Sequence, residues 1–290
     1  MNIRQPLRAG SFYEGAPGPC RNHAAKLIDA AEMPPDLPEG LVGGLVPHAG
    51  WMYSGRLAAL TFKALATADQ AQTLVLFGAD HVGVARQGEL YDTGVWRTPL
   101  GDVSIDEELT AALLGSETFR AYPQAHDREH SLEVQVPLVQ MLFPEARIVP
   151  VTVPPTPLAV TIGREVGRLL AGRECSARVV GSTDLTHHGG HFGLWGAPAG
   201  EAGVTWTEKN DRRMLDLIEA MDAEGVIGEA DSHHNACGAG AIAATIAASC
   251  EMGATRGICL RYTNSYRVLQ NLYAGQRDDT TVGYASVVFA

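Results

Sequence analysis

Three short apolar runs in this chain each lead into a turn that carries a histidine, and this repeated pattern limits the folds open to it. The runs are Gly43–Val46, Thr73–Phe77 and Arg178–Gly181. Runs that are apolar without alternation are typical of strands buried on both faces of a parallel sheet. Between the first two, Arg56–Ala68 has the helical spacing of apolar residues. The order strand, helix, strand predicts a parallel crossover unit.

The same alternation continues to the end of the chain. Further strands are predicted at Arg147–Val153, Gly257–Tyr262 and Val282–Phe289, and helices at Leu132–Phe143, Leu158–Ala171, Glu208–Met221 and Cys237–Cys250. Pro137 should either kink its helix or mark the first turn. Strands and helices that alternate without a fixed repeat predict an α/β fold with a central mixed or parallel sheet flanked by helices. No Ser/Gly linker divides the chain, so residues 1–290 are predicted to form a single domain.

Charge and cysteine content limit the kinds of partner that this protein is expected to bind and the cell compartment in which it is expected to lie. The chain has 290 residues, a formal net charge of −11 and no long run of Lys or Arg, so no nucleic-acid partner is expected. It has no apolar leader and no stretch of about 18 apolar residues, so no membrane partner is expected either. Its five scattered cysteines are typical of a reducing compartment. We therefore expect a cytoplasmic protein.

The turns after the apolar runs are the first candidates for a functional site. In open α/β sheets, ligands bind beyond the carboxyl ends of strands, where residues distant in sequence converge. One histidine at a strand end is usually structural, but three such ends in one chain favour a metal site. Cys237 lies just before or at the start of an alanine-rich helix, whose dipole favours a thiolate. We expect Cys237 to have a lowered pKa, and Cys175, Cys250 and Cys259 to be small buried hydrophobes.

Four sets of residues resemble the signature segments of the Memo family and occur in the same order. They are Val46–Gly50 with Tyr53–Gly55, Asp127–Glu133, Ser182–Asp184 with His187, and Asn235–Gly238. Bacterial and archaeal members are called AmmeMemoRadiSam system protein B, and their fold is similar to that of class III extradiol ring-cleavage dioxygenases. The resemblance spans nearly the whole chain and implies that fold here. It places the metal ligands on His48, His81 and Cys237, with Asp184 and His187 in the same pocket.

Two imidazoles and a thiolate with an open position suit Fe(II), copper or zinc. We expect one ion per chain, with Fe(II) or copper favoured and zinc also compatible. The ring-cleaving relatives use a carboxylate where this chain has Cys237, and the softer sulfur shifts the preference towards copper or zinc. Two positions near His81 depart from the family pattern. Asp80 brings an extra carboxylate, and Val82 replaces an aromatic residue or a second histidine.

Three functions remain open at this point. The first is a metal-dependent oxidoreductase acting on a small oxygenated or aromatic substrate, in which His187 or His130 moves protons and Asp184 orients an imidazole. The second is a non-catalytic metal-binding or redox partner protein, which would act through a protein partner. A remote third is a zinc hydrolase, because His126–His130 matches the H-x-x-E-H pattern. Helical periodicity begins only at Leu132, which argues against the third.

Overall fold

A computed structural model describes residues 2–67, 70–173, 176–190, 192–193, 195–198, 200–273 and 279–290. In this part of the chain the strands are β1 (Ile3–Arg4), β2 (Gly43–Val46), β3 (Thr73–Gly78), β4 (Gly88–Leu90), β5 (Val95–Thr98), β6 (Gly101–Ser104), β7 (Phe119–Ala121), β8 (Arg147–Thr152), β9 (Ala177–Ser182), β10 (His187–Gly189), β11 (Gly257–Asn264) and β12 (Thr280–Phe289). The α-helices are α1 (Pro17–Ala30), α2 (Trp51–Leu65), α3 (Glu107–Leu113), α4 (Val136–Leu142), α5 (Leu158–Ala171), α6 (Glu201–Glu219), α7 (Gly225–His233), α8 (Ala239–Glu251) and α9 (Ser265–Leu272). Short 3-10 helices cover Pro123–His126 and Glu133–Gln135. Among the described helices, none has the length and apolar character needed to cross a membrane.

The main sheet is mixed, and its centre is parallel. Its strands follow the order β10, β12, β2, β9, β3, β8, β4, β7, and β11 also pairs with β12. The central strands β2, β9, β3 and β8 are parallel, whereas β12 and β4 run antiparallel to their neighbours in that group. Every residue of β2, β3 and β9 is buried. The predicted α/β class is confirmed, while the relation to extradiol dioxygenases stays a prediction.

Most of the predicted elements are present, some with shifted ends. The helix predicted at Leu158–Ala171 has these bounds in the structure. The one predicted at Arg56–Ala68 begins already at Trp51, and its predicted end at Ala68 lies outside the described residues. Pro137 stands in the first turn of α4, where a backbone N–H has no intrahelical partner to lose.

Helix α8 packs closely against α5 because both present small residues at their contact. A Cβ atom on Gly163 would lie 2.1 Å from the backbone oxygen of Ala244, and one on Gly167 would lie 2.5 Å from that of Ala248. The same helix contacts β9 and β2. This packing leaves the residues before α8 at the carboxyl end of the central strands.

A buried carboxylate fastens the N-terminal segment to the rest of the molecule. Glu133 accepts hydrogen bonds from the backbone N–H groups of Leu7, at 2.9 Å, and Arg8, at 2.6 Å, and from the Tyr13 hydroxyl, at 3.1 Å. It also forms a 2.9 Å ion pair with Arg4, and both side chains are at most 2% exposed. These contacts tie Glu133 to the N-terminal segment.

Glu133→Gln should destabilise the fold strongly, because it leaves the Arg4 guanidinium buried without a charged partner. Removing one side of a buried ion pair costs about 3–5 kcal/mol of unfolding free energy, which urea unfolding measures. The matched control is Asp102→Asn, which breaks the largely exposed pair with Arg97 and should cost less than about 1 kcal/mol. Equal losses in the two variants would contradict the anchoring role of Glu133.

Candidate metal centre

The order of the central strands brings the predicted turns together. Strand β9 lies between β2 and β3 and is parallel to both, with Val46 paired with Ser182 and Phe77 paired with Gly181. The three strands therefore end at nearly the same level. The turns that follow them carry His48, Asp184 and His81, and they meet at this edge of the sheet.

The side chains of His48, His81 and Cys237 converge at that edge. Each offers one ligand atom, and these three atoms lie within 4.8 Å of one another. Nε2 of His48 is 3.1 Å from Sγ of Cys237. The two imidazole rings are perpendicular, with centroids 5.1 Å apart. The structure thus brings together the three residues that the family resemblance assigns as ligands.

A glycine after Cys237 allows the thiol to reach the end of β9. A Cβ atom on Gly238 would lie 2.5 Å from the backbone oxygen of Ser182, so a larger residue has no room there. The backbone N–H of Gly238 donates to the Thr183 hydroxyl at 3.0 Å. The backbone N–H of Cys237 donates to the carbonyl of Asp184 at 3.2 Å. These contacts hold the thiol against the turn that follows β9.

Burial and hydrogen bonds together set the acid–base properties of the three groups in the absence of an ion. It lowers the pKa of His48 well below its usual value. Burial alone would also lower the pKa of His81, but hydrogen bonds to Cys237 and Glu129 outweigh it and raise that pKa to about 10. Burial raises the pKa of Cys237, with His81 opposing it and Asp184 adding to it. The lowered pKa expected for Cys237 is therefore not found in the ion-free protein, where burial raises it, and α8 begins only at Ala239, after the thiol.

Asp184, His187 and His130 surround the three converging groups. Burial raises the pKa of Asp184 to about 7, and its carboxylate accepts the backbone N–H of His48 at 2.7 Å. It therefore supports the main chain of the first turn and not an imidazole. His187 is held by a 3.0 Å hydrogen bond from Nδ1 to the carbonyl of Leu185. Burial and the neighbouring His81 lower the pKa of His130 to about 4, and its ring stacks on His81 at 4.8 Å.

Two cavities adjoin the centre from different sides. The first, of about 540 Å³, is lined by His48, His81, His130, Asp184 and His187, with walls that include Phe12, Tyr53, Phe192 and Tyr284. The second, of about 400 Å³, is lined by Cys237, His187, Phe192, Trp195, Asp231 and His234 among others. The imidazoles of His48 and His81 therefore face the first cavity, and the thiol of Cys237 faces the second.

The remaining residues named from sequence have other roles. Asp80 accepts the backbone N–H groups of residues 83–85 and closes a turn, so it is engaged away from the centre. Val82 is 40% exposed. Cys250, expected to be buried, is exposed because it stands near the end of α8, while Cys259 is half-buried. Cys175 lies outside the described residues.

His126 belongs to the protein core and not to a peptidase site. It is 1% exposed, and its Nε2 donates to the carbonyl of Glu89 at 3.0 Å. Burial lowers the pKa of this imidazole to about 3. Residues 123–126 form a 3-10 helix and not an α-helix that presents two ligands on one face. Among the described residues, the groups able to hold an ion include His130 but not His126.

Comparison with known proteins shows the family of this chain. A family model described as Memo-like protein matches residues 4–288. The chain belongs to the Memo-like family. A MEMO1 family protein of Methanopyrus kandleri is 34% identical over 299 residues, covering 99% of this chain and 98% of its own length. A second MEMO1 family protein, from Methanothermobacter thermautotrophicus, is 36% identical over 292 residues, covering 98% and 99% respectively. The family predicted from the sequence is confirmed.

Several pocket residues of this Memo-like protein carried no clear sequence signal. Phe12 reaches the cavity from the N-terminal segment and contacts the His130 ring edge-on at 5.2 Å. Tyr284 comes from β12, near the other end of the chain. Neither stands beside a histidine in sequence. Ser182 and Glu129, in contrast, lie within the signature segments, so the family resemblance was the signal that could have identified them.

Gly238→Ala should displace the Cys237 turn of this Memo-like protein, since the added methyl group would collide with the Ser182 carbonyl. We expect a loss of about 1–3 kcal/mol in unfolding free energy, measured in urea. The control is Gly228→Ala in α7, where a Cβ atom meets nothing within 4 Å. Alanine should be neutral or stabilising by up to about 1 kcal/mol there. A Gly238→Ala protein as stable as the control would show that the turn adapts freely.

Proposed function

We propose that this Memo-like protein binds one redox-capable metal ion through His48, His81 and Cys237 and acts as a metal-dependent oxidoreductase. The observation that carries the proposal is the convergence of two imidazoles and a thiol beside a cavity. Fe(II) or copper is favoured, and zinc is also compatible with this donor set. The relation to class III extradiol dioxygenases is part of the same proposal.

The distances support a single shared ion. Ligand atoms that bind one tetrahedral ion at about 2.0–2.3 Å are separated from each other by roughly 3.3–3.8 Å. The 3.1 Å separation between Nε2 of His48 and Sγ of Cys237 is close to that range. A bound ion would supply a Lewis acid and, if Fe(II) or copper, a one-electron redox couple. Three protein ligands leave a position open for a substrate.

The cavity supports a small oxygenated or aromatic substrate. Its walls include aromatic side chains, and none of the described lining residues is Lys or Arg. His130 and His187 line the cavity and are the groups proposed to accept or donate protons, because their pKa values are lowered by burial and they are neutral near pH 7. Asp184 is proposed to act by holding the turn that carries His48.

A non-catalytic metal-binding or redox role is the alternative, favoured by the thiol ligand and by exposed aromatic residues beside it. Phe192 is 43% exposed and Trp195 is 50% exposed, so a protein partner has an apolar surface to contact.

Dioxygen consumption by the Fe(II)-loaded protein, with catechol as the probe, distinguishes the oxidoreductase from the non-catalytic role. Dioxygen uptake that needs both His187 and catechol supports the oxidoreductase, whereas full metal loading without dioxygen uptake supports the non-catalytic role.

For either role we propose a cytoplasmic location, supported by free thiols at four described positions.

His48→Ala and His81→Ala should each lower metal content sharply from about one ion per chain, because a site with three protein ligands loses a third of its donors. Elemental analysis of untagged protein by inductively coupled plasma methods gives the measurement. His23→Ala is the matched control, since His23 pairs with Glu14 at the surface. Full metal content in both ligand variants would refute the site.

An ion bound by the thiolate should protect Cys237 from alkylation. In the presence of zinc, iodoacetamide should modify Cys237 at least about tenfold more slowly than in its absence. The exposed Cys250 serves as an internal control whose rate should not change. Mass mapping after timed quenching measures both rates. Equal protection of the two cysteines would point to a general change in the protein and not to ligation.

A further inference from the structure

The segment Glu129–Gln135 overlaps the signature segment Asp127–Glu133 and contacts both predicted histidine ligands, although the proposed metal site uses none of its side chains as a ligand. This segment, Glu129–Gln135, follows a short turn and continues into α4. Gln135 donates to the carbonyl of Pro47, beside His48, at 2.8 Å. The Ser131 hydroxyl accepts the backbone N–H of Ala79, near His81, at 3.1 Å. One segment thus holds the turns after β2 and β3.

The carboxylate of Glu129 is surrounded by N–H donors. It accepts the backbone N–H groups of His81, His130 and Ser131, each at 2.8 Å, and it lies 3.0 Å from Nδ1 of His81. Its side chain is 2% exposed. With three backbone N–H groups pointing at the carboxylate, its oxygens act as acceptors. Nδ1 of His81 must therefore carry a hydrogen, which leaves Nε2 as the nitrogen available to an ion.

The His48 ring, like that of His81, has Nε2 towards the centre, but a neutral hydroxyl holds it there instead of a carboxylate. The hydroxyl of Ser182 has a single hydrogen, and it donates that hydrogen to the carbonyl of Ser131 at 2.7 Å. Towards Nδ1 of His48, at 3.0 Å, the hydroxyl must then accept. Nδ1 of His48 carries the hydrogen and Nε2 faces Cys237. Both imidazoles present Nε2 to the centre, but a carboxylate braces one and a hydroxyl braces the other.

Glu129 is also close enough to His81 and His130 for these three to count as a group able to hold an ion. The hydrogen bonds argue against that use. Both carboxylate oxygens already accept N–H groups, and a cation there would face the hydrogens of three backbone amides. The contacts of Glu129 suit a support for His81 better than a ligand of its own.

We propose that Glu129 is a positioning residue that fixes the orientation and donor strength of His81 and thereby sets the metal affinity of the centre. This inference rests on the metal-binding function proposed above. A carboxylate that accepts the second ring N–H of a metal-bound histidine holds the ring in place and makes it a stronger donor, and losing such a partner typically costs about 10- to 100-fold in affinity. Ser182 provides a weaker version of the same support, because a neutral hydroxyl accepts less strongly than a carboxylate.

The test measures zinc affinity by competition with a chromophoric chelator in the full-length protein. Glu129→Gln should bind zinc about 10- to 100-fold more weakly than the unmodified protein, whereas Ser182→Ala should lose less than about tenfold. The matched control is Glu89→Gln. Glu89 is also fully buried and accepts a backbone N–H, but its partner is the Arg120 guanidinium and not a predicted ligand. We expect this variant to lose stability and to keep its zinc affinity.

A second measurement separates positioning from general loss of structure. In the zinc-loaded, ¹⁵N-labelled protein, the Nδ1–H resonance of His81 should be protected from exchange. That protection should fall in Glu129→Gln, return in part in Glu129→Asp, and persist in Glu89→Gln. Zinc affinity in Glu129→Gln within about threefold of the unmodified protein would overturn the proposal, as would an equal loss in Glu89→Gln. If the unmodified protein binds no zinc, copper or Fe(II), the metal site fails and this role with it.

Discussion

The parallel pairing of β2, β9 and β3 is the constraint on which the rest of the site depends. Because β9 lies between the other two strands in level register, the turns after all three open at the same edge of the sheet. A shift of register would separate His48 from His81. The buried, two-sided packing of these strands opposes such a shift, since each apolar residue is held between helices. The chemistry at the edge is thus fixed by the core beneath it.

The site gathers several ionisable groups in a buried space, and their mutual contacts explain how the fold tolerates them. Asp184 is buried but receives the backbone N–H of His48, and Glu129 receives N–H groups from three residues. Buried charge is tolerated where hydrogen bonds replace water. Cys237 and His81 interact with each other in the ion-free protein. The proposed divalent ion would replace that contact by bonds to both groups.

The local sequence was enough for much of the fold. Continuous apolar runs gave β2, β3 and β9, and helical periodicity gave α5 with its observed bounds. The apolar sequence pattern was a weaker guide to elements whose positions depend on contacts between residues far apart in the chain. The small sheet of β1, β5 and β6 and helix α1 were not predicted, because β1 pairs with β5 far along the chain and α1 packs against α2 and α4. Cys250 was misplaced for a related reason, since burial at a helix end depends on what packs there.

The sequence by itself determined the family, the α/β class and the candidate ligands His48, His81 and Cys237, because these are carried by local patterns and short motifs. Only the tertiary structure decided which ring nitrogens face the centre, that Glu133 serves the N-terminal segment while Glu129 supports His81, and that burial raises the pKa of Cys237. Those properties depend on hydrogen-bond partners and on exclusion of water. Both are set by residues far away in sequence, which no local pattern records.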